Sequence, residues 1–205
     1  WMVRQVSRAA VVSCDPQVCT DLASRGFTSA NLLTLGPEST DPLGSELVVA
    51  SAAIRAQFRS HLAVYAPAII ASFGSGTARI DIRWAFPGGA KGYRAAEHRD
   101  LRARKTADAQ LLTNRQVTLS ATARAQLHSG DIDPRVPLLI VAMAASHPVH
   151  IVGFGGQAPG GGPASLLRSV DLATADSAAH LSRTAYLAWM HRFIDVQRAQ
   201  YRPAW

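Results

Sequence analysis

Three Asp-Pro pairs punctuate this chain, at Asp15-Pro16, Asp41-Pro42 and Asp133-Pro134, and they constrain its folding more than any other local feature. An aspartate accepts hydrogen bonds from the amides of a helix's first turn. A proline suits the first helical position, where its missing N–H would have no partner anyway. Each pair therefore predicts a helix start. The apolar run Ala9 to Ser13 precedes the first pair, and the helix after it should run to about Arg25 and stop at Gly26. Asn31 to Leu35 reads as a strand closed by Gly36-Pro37, which completes a βαβ unit.

By the same logic Asp41-Pro42 opens a helix from Leu43 to about Arg59, with Leu47, Ala50, Ile54 and Phe58 on one face. Pro67 to Phe73 is strand-like, and Gly74-Ser75-Gly76 turns the chain. Ala78 to Phe86 alternates, with Ile80, Ile82 and Trp84 on one face and Arg79, Asp81 and Arg83 on the other. That predicts a half-buried strand in an antiparallel hairpin. A charged helix follows from Lys91 to Leu112, then a short strand at Val117 to Leu119. Ser120 caps a helix to about His128, stopped by Gly130, and the third Asp-Pro pair starts a helix to about Ser146. Pro148 to Gly153 is a strand. Phe154 to Pro163 holds five glycines and two prolines and reads as a mobile loop. A strand at Leu166 to Leu172 and a long amphipathic helix from Ser177 to about Gln200 close the chain, the latter with Leu181, Tyr186, Trp189, Phe193 and Val196 for burial.

The expected fold class is α/β, a mixed sheet flanked by helices. It forms a single domain over 1–205 that could divide into sub-lobes 1–114 and 115–205, meeting near Asn114 to Gln116. With 205 residues, 48% of them apolar, there is material for a real core, which excludes wholesale disorder. The longest apolar run, Val136 to Ala145, contains Pro137 and falls short of the roughly 18 residues a membrane span needs. Val3-Arg4 to Arg8 is too polar for a secretory leader. The chain opens on Trp1, so it reads as an excised fragment whose leader or anchor would lie upstream.

The net charge is +7, and of the 21 basic residues only Lys91 and Lys105 are lysines, a bias that GC-rich coding explains. The densest basic stretch, Arg94, Arg99, Arg102, Arg104 and Lys105, is interleaved with Glu97 and Asp100. It reads as a solvated helix face, because phosphate binding needs a focused patch and not a sum.

Gly153-Phe154-Gly155-Gly156 follows a strand, as a dinucleotide fingerprint would, but Pro159 and Gly160-Gly161-Gly162-Pro163 stand where the phosphate-binding helix should begin. There is no GxxxxGK[ST] and no GxSxG, and Ser72 to Ser75 lies in a turn without an evident His-Asp partnership. None of the seven histidines forms HxH, HxxxH or HExxH. Asp131 and Asp133 form an acidic pair, though an N-cap explains Asp133. Cys14 and Cys19 have neither redox CxxC nor zinc-finger spacing, and are either two buried thiols or a local disulfide.

Gly130-Asp131-Ile132-Asp133-Pro134-Arg135-Val136, the apolar helix after it and His147-Pro148-Val149-His150-Ile151 resemble a group of secreted actinobacterial proteins, and the first 105 residues are similar to an extracytoplasmic region of uncharacterised, membrane-anchored actinobacterial proteins, which implies no activity. The first of these resemblances covers Ala109 to Leu172, including Ala109-Gln110-Leu111-Leu112 and Ser120-Ala121-Thr122-Ala123-Arg124. This part is similar to the D-Ala-D-Ala carboxypeptidase (M15-like) fold, and Arg168-Ser169-Val170-Asp171-Leu172 looks like the strand whose Asp ligates zinc in that family. The family's histidines are missing. Their places hold Gly155-Gly156 and the Gly/Pro loop to Ser165-Leu166, which leaves Asp171 as sole ligand, and a catalytic zinc needs three.

The resemblance implies a non-catalytic extracytoplasmic domain, tethered to the membrane by a segment outside this chain, without metal or cofactor. Its expected partner is a cell-envelope component or a protein, with no specific nucleic acid. A ligand would be met by Asp171, His147, His150, Phe154, Gly155 and Gly156 around the glycine loop, and no residue is assigned as catalytic. An oxidising compartment predicts a Cys14–Cys19 disulfide. The alternatives are a metal-independent or degenerate cell-wall hydrolase using Asp171, His147 or His150, and a nucleotide-binding protein.

Overall fold

A computed structural model describes residues 1–162, 165–174 and 182–197. It contains helices and two mixed sheets, so the fold class is α/β. The chain divides into two compact units, one of residues 1–98 with 158–165 and one of 99–157 with 166–205. The change of unit falls between His98 and Arg99, inside a helix, and not near Asn114 to Gln116 as the sub-lobes suggested. An uninterrupted helical pattern gives no sign of where its packed side changes neighbours.

In the first unit, β1 (Val12–Cys14) pairs in parallel with both β2 (Leu32–Thr34) and β3 (Leu47–Ala50). β4 (Ala68–Phe73) and β5 (Ile80–Trp84) form the expected hairpin, and β5 runs antiparallel to β3, giving the order β2-β1-β3-β5-β4. The helices are α1 (Met2–Gln5), α2 (Pro16–Ser24), α3 (Ala52–Phe58) and α4 (His61–Tyr65). The first Asp-Pro pair acts as its chemistry dictates. Asp15 accepts from the Val18 amide at 3.0 Å, Pro16 opens α2, and Gly26 takes a φ of 95° just beyond its end.

The second pair does not start a helix. Asp41 accepts from the Leu43 amide at 2.9 Å in a turn, and Leu47–Ala50 is strand. Of the expected apolar face only Ile54 and Phe58 are helical. Leu47-Val48-Val49-Ala50 has the length and β-branching of a buried strand, and Ser51 is the true cap, its hydroxyl accepting from the Ile54 amide.

The half-buried strand is also corrected. Asp81 and Arg83 are buried while Trp84 is exposed. Asp81 lies opposite Ala50 and Arg83 opposite Val48, on the sheet face packed by Leu35, Ile54, Phe58, Leu62 and Ala66. Met2, Cys19, Leu22 and Phe27 pack the other face with Val12, Cys14, Val49, Ala71 and Ile82. Apolar cover on both faces turns the polar side of β5 inward.

The second unit has β6 (Val117–Leu119), β7 (Val149–Gly155) and β8 (Ser169–Thr174) in that order, β6 parallel and β8 antiparallel to β7. β7 runs two residues past Gly153, through Phe154 and Gly155, and β8 starts at Ser169, later than the expected Leu166. The helices are α5 (Gly89–Leu112), which begins in the first unit, α6 (Ala121–Ser129), α7 (Arg135–Ala144) and α8 (Arg183–Asp195). Ser120 and Gly130 bound α6 as expected, Gly130 in the left-handed region at φ 76°. Leu127, Ile132, Ile140, Met143, Val149, Ile151 and Tyr186 are the centre of this core. Val196, expected to be buried, is 78% exposed one residue past the end of α8, and the helix expected from Ser177 has its first residues, 177–181, and its last, 198–200, outside the described residues.

Candidate functional site

The six residues expected around a ligand do not converge. Val149, Ile151 and Phe154 of β7 join Val170 and Leu172 of β8 on the core face, and Phe154 is buried. A register shift between Ile151 and Gly153 lets Phe154 turn inward where strict alternation from Ile151 would place it outward. Asp171 is exposed opposite Gly153, and His150 sits opposite Ala173, so these two share the outer face. His150 Nδ1 lies 2.8 Å from Thr118 Oγ1. His147 precedes the strand, and its ring packs tilted against Trp189 with centroids 4.4 Å apart. Gly155 and Gly156 pack on Ser169, and a Cβ on Gly156 would meet the Ser169 amide nitrogen at 3.1 Å. Thus Asp171 and His150 are brought to one face, while Phe154 and His147 are spent on packing.

The glycine segment is not a loose loop. The Ser72 amide donates to the Pro159 carbonyl at 2.7 Å, and the Gly162 amide to the Ile69 carbonyl at 3.2 Å. Residues 159–162 thereby cover the open edge of β4 within the first unit. A Cβ on Gly161 would stand 2.4 Å from Ser165 Cβ and 2.9 Å from the Ile70 carbonyl oxygen. Pro163, the end of the expected loop, lies outside the described residues.

The Gly-x-x-Asp-x-Arg turn has a structural explanation. Gly130 ends α6, and its carbonyl accepts from Arg104 Nε at 2.7 Å. The Asp133 carboxylate accepts from Arg135 Nε at 2.9 Å, from Arg135 Nη2 at 2.6 Å and from the Arg135 amide at 3.1 Å, with Arg168 Nε 3.6 Å away. Burial pushes this carboxyl up, but the hydrogen bonds and charges of Arg135 and the charge of Arg168 more than offset it, and the net shift is downward. The Asp133 amide and the Asp131 carbonyl bind Leu167, which fixes the approach to β8.

One missed residue is Gln126 on α6. Its amide donates to the Phe154 carbonyl and accepts from the Phe154 amide, both at 2.8 Å, continuing the pairing of β7 beyond the end of β6. Nothing in the sequence distinguishes it from any exposed helical glutamine. Asp108 on α5 was missed as well. It is buried, its Oδ2 has no hydrogen-bond partner, and burial pushes its pKa up to about 6 against the opposing charge of Arg104.

In the first unit β1 lies between its parallel neighbours β2 and β3. This is the kind of switch point where open α/β sheets hold ligands beyond the strand ends. Here the position is filled from within. Ser51 donates to Asp15, and Asp15 occupies the Val18 amide in the first turn of α2, which an anion would otherwise take. Arg55 donates to the carbonyls of Ala50, Arg79 and Thr77. Asp81 accepts from Ser72 at 2.5 Å and Arg79 at 2.7 Å. Burial raises its pKa, but these bonds and the arginine charges, Arg83 included, bring it below the usual carboxylate range. Cys14 and Cys19 form a disulfide across the β1–α2 corner, with Cα atoms 5.4 Å apart.

The first unit also holds an open groove of about 1010 Å³, floored by Val49, Phe73, Ile80 and Ile82 and rimmed by α1, Arg4 and Arg25. Trp1 stands in it, 6.0 Å from Phe73 between ring centroids. Among the described residues no group of three or more His, Cys, Asp or Glu could hold a metal ion, and no helix is long and apolar enough to cross a membrane.

No protein-family model, curated protein or solved structure matches this chain.

Proposed function

We propose that this chain is a non-catalytic extracytoplasmic domain that binds a component of the cell envelope, tethered by a segment outside it. One observation carries the reading: Asp133 and His147, in the region of carboxypeptidase resemblance, are committed to holding the fold. Asp133 is saturated by Arg135 and the His147 ring packs against Trp189, which leaves Asp171 and His150 on the outer face. The Cys14–Cys19 disulfide supports an oxidising compartment, where such bonds persist.

Co-sedimentation with purified Gram-positive cell-wall sacculi tests the reading. The wild-type chain is expected to pellet with sacculi and to release no peptide or sugar fragments from them, with or without added zinc. Turnover of a peptidoglycan fragment, or one zinc per chain lost on Asp171→Ala, would replace it with a hydrolase.

A further inference from the structure

β8 is an outermost strand of its sheet, and the direction of its backbone groups follows from its neighbours. The Val149 amide donates to the Gln116 carbonyl, and the Ile151 carbonyl accepts from the Ser120 amide, so the backbone groups of these two residues face the β6 side. Along a strand such groups alternate from side to side. Those of His150 therefore face β8 and pair with Ala173, which turns the N–H and C=O of Leu172 and Thr174 to the outer edge. Among the described residues neither of the two makes a hydrogen bond on that side. The edge of β4 in the first unit has residues 159–162 paired to it; the edge of β8 has no such cover among the described residues, and no lysine or proline guards it.

A groove of about 330 Å³ lies against this edge, within the second unit. Leu172 and Thr174 form one wall, and Arg183, Tyr186, Leu187 and Met190 of α8 form the other. The four helical residues are spaced three, one and three apart, which puts them on one face of α8. Tyr186 is buried and Leu187 is exposed. Arg183 is exposed and makes no ion pair among the described residues.

We propose that this groove binds an extended peptide segment of a partner protein, added as a further strand beside β8. The inference goes beyond the envelope reading and does not depend on it. The wall of β8 selects the peptide. Its outward N–H and C=O groups, on alternate residues, are what the backbone of an added strand pairs with, and each is a donor or acceptor that needs a partner. The facing helix selects the side chains. An apolar residue of the segment packs against Tyr186, Leu187 and Met190, and a carboxylate meets Arg183. Arg183 and Leu187 stand one turn apart, a rise of about 6 Å, and alternate residues of an extended chain are about 6.8 Å apart. The acidic residue is therefore two positions from the apolar one.

The test is an NMR titration of the isotope-labelled chain with a capped pentapeptide, Glu-Thr-Val-Thr-Glu, whose symmetry offers the same pattern in either strand direction. Amide exchange is followed alongside. The Leu172 and Thr174 amides are expected to exchange fast in the free chain and at least roughly tenfold more slowly at saturating peptide. Arg183→Glu is expected to weaken binding about tenfold or more and to make Lys-Thr-Val-Thr-Lys the better ligand. Arg192→Glu makes the same charge change on the opposite side of α8 and is expected to change binding less than about threefold. Thr174→Pro removes one outward N–H and is expected to weaken binding about fivefold or more. Circular dichroism first shows all three variants folded. Slow exchange of Leu172 and Thr174 in the free monomer would mean that the chain fills this edge itself, and would overturn the proposal. A dimer of the free chain with these amides protected would assign the edge to a second copy and overturn it equally. So would equal losses in Arg183→Glu and Arg192→Glu, or no shift of β8 and α8 resonances at millimolar peptide.

Discussion

Burial raises the pKa of two aspartates in the second unit, yet their net shifts run in opposite directions, and the difference lies in their partners. Asp133 has Arg135 and Arg168; Asp108 has Arg104 at a distance and one carboxylate oxygen without a hydrogen bond. Asp133 is lowered, so it contributes stability that is present above the ordinary carboxylate range and lost as pH falls through its folded value. Asp108 is raised, so the folded state holds its proton more tightly than the unfolded chain does. Its contribution is most favourable near pH 4 and declines as pH rises to about 6. Asp108→Asn is therefore expected to stabilise the chain at pH 7 by about 2 kcal/mol and to flatten the stability profile between about pH 4 and 6. Asp133→Ala is expected to destabilise by about 2 kcal/mol at pH 7, since it leaves the half-buried Arg168 without its carboxylate. Urea melts across that pH range check both, and a steeper profile for Asp108→Asn than for the wild type would refute the first.

At the scale of elements, residues 159–162 are a strip of backbone paired to β4, and their composition alone suggested motion. Glycines there serve close approach: Gly160 takes a φ of 56°, and its Cβ would sit 2.9 Å from the Ser72 carbonyl oxygen. Gly161→Ala is expected to cost about 1–3 kcal/mol by overpacking, read as a lower melting temperature. Shortening Gly160-Gly161-Gly162 to one glycine should cost at least as much, because the Gly162 bond to Ile69 is lost with it. An unchanged melting temperature would show that the strip is dispensable. The disulfide acts at the same scale. It closes the corner between β1 and α2, so Cys14→Ser/Cys19→Ser should destabilise by about 2 kcal/mol, low in the usual range because the closed loop is short. Non-reduced protein should show no reactive thiol by mass spectrometry, and two alkylated cysteines would contradict the bond.

Over the whole molecule, 21 basic against 14 acidic residues give a net charge of +7, so the proposed binding to an anionic envelope should depend on ionic strength. Raising salt from about 50 to 200 mM should release the chain from sacculi, and retention at high salt would point instead to an apolar contact such as the groove over Phe73 and Ile80.

What the sequence determined by itself is local. Asp15, Ser120, Gly26 and Gly130 bound their helices as read, because a cap is a contact between residues a few positions apart. The β1–α2–β2 unit and the β4–β5 hairpin were legible for the same reason: short connections leave little choice of neighbour. Tertiary structure decided the rest. Leu47–Ala50 fits a helix face by spacing and a buried strand by its β-branched Val48-Val49, and pairing with β1 and β5 made it a strand. Asp81 and Arg83 went inside because helices cover the face that alternation assigned to water. The expected site came apart because one register shift in β7 and one ring contact with Trp189 drew Phe154 and His147 into the fold. The order of side chains along β7 was plain in the sequence. Which of them reach solvent depended on partners far away in the chain, and pattern within a segment carries no information about those.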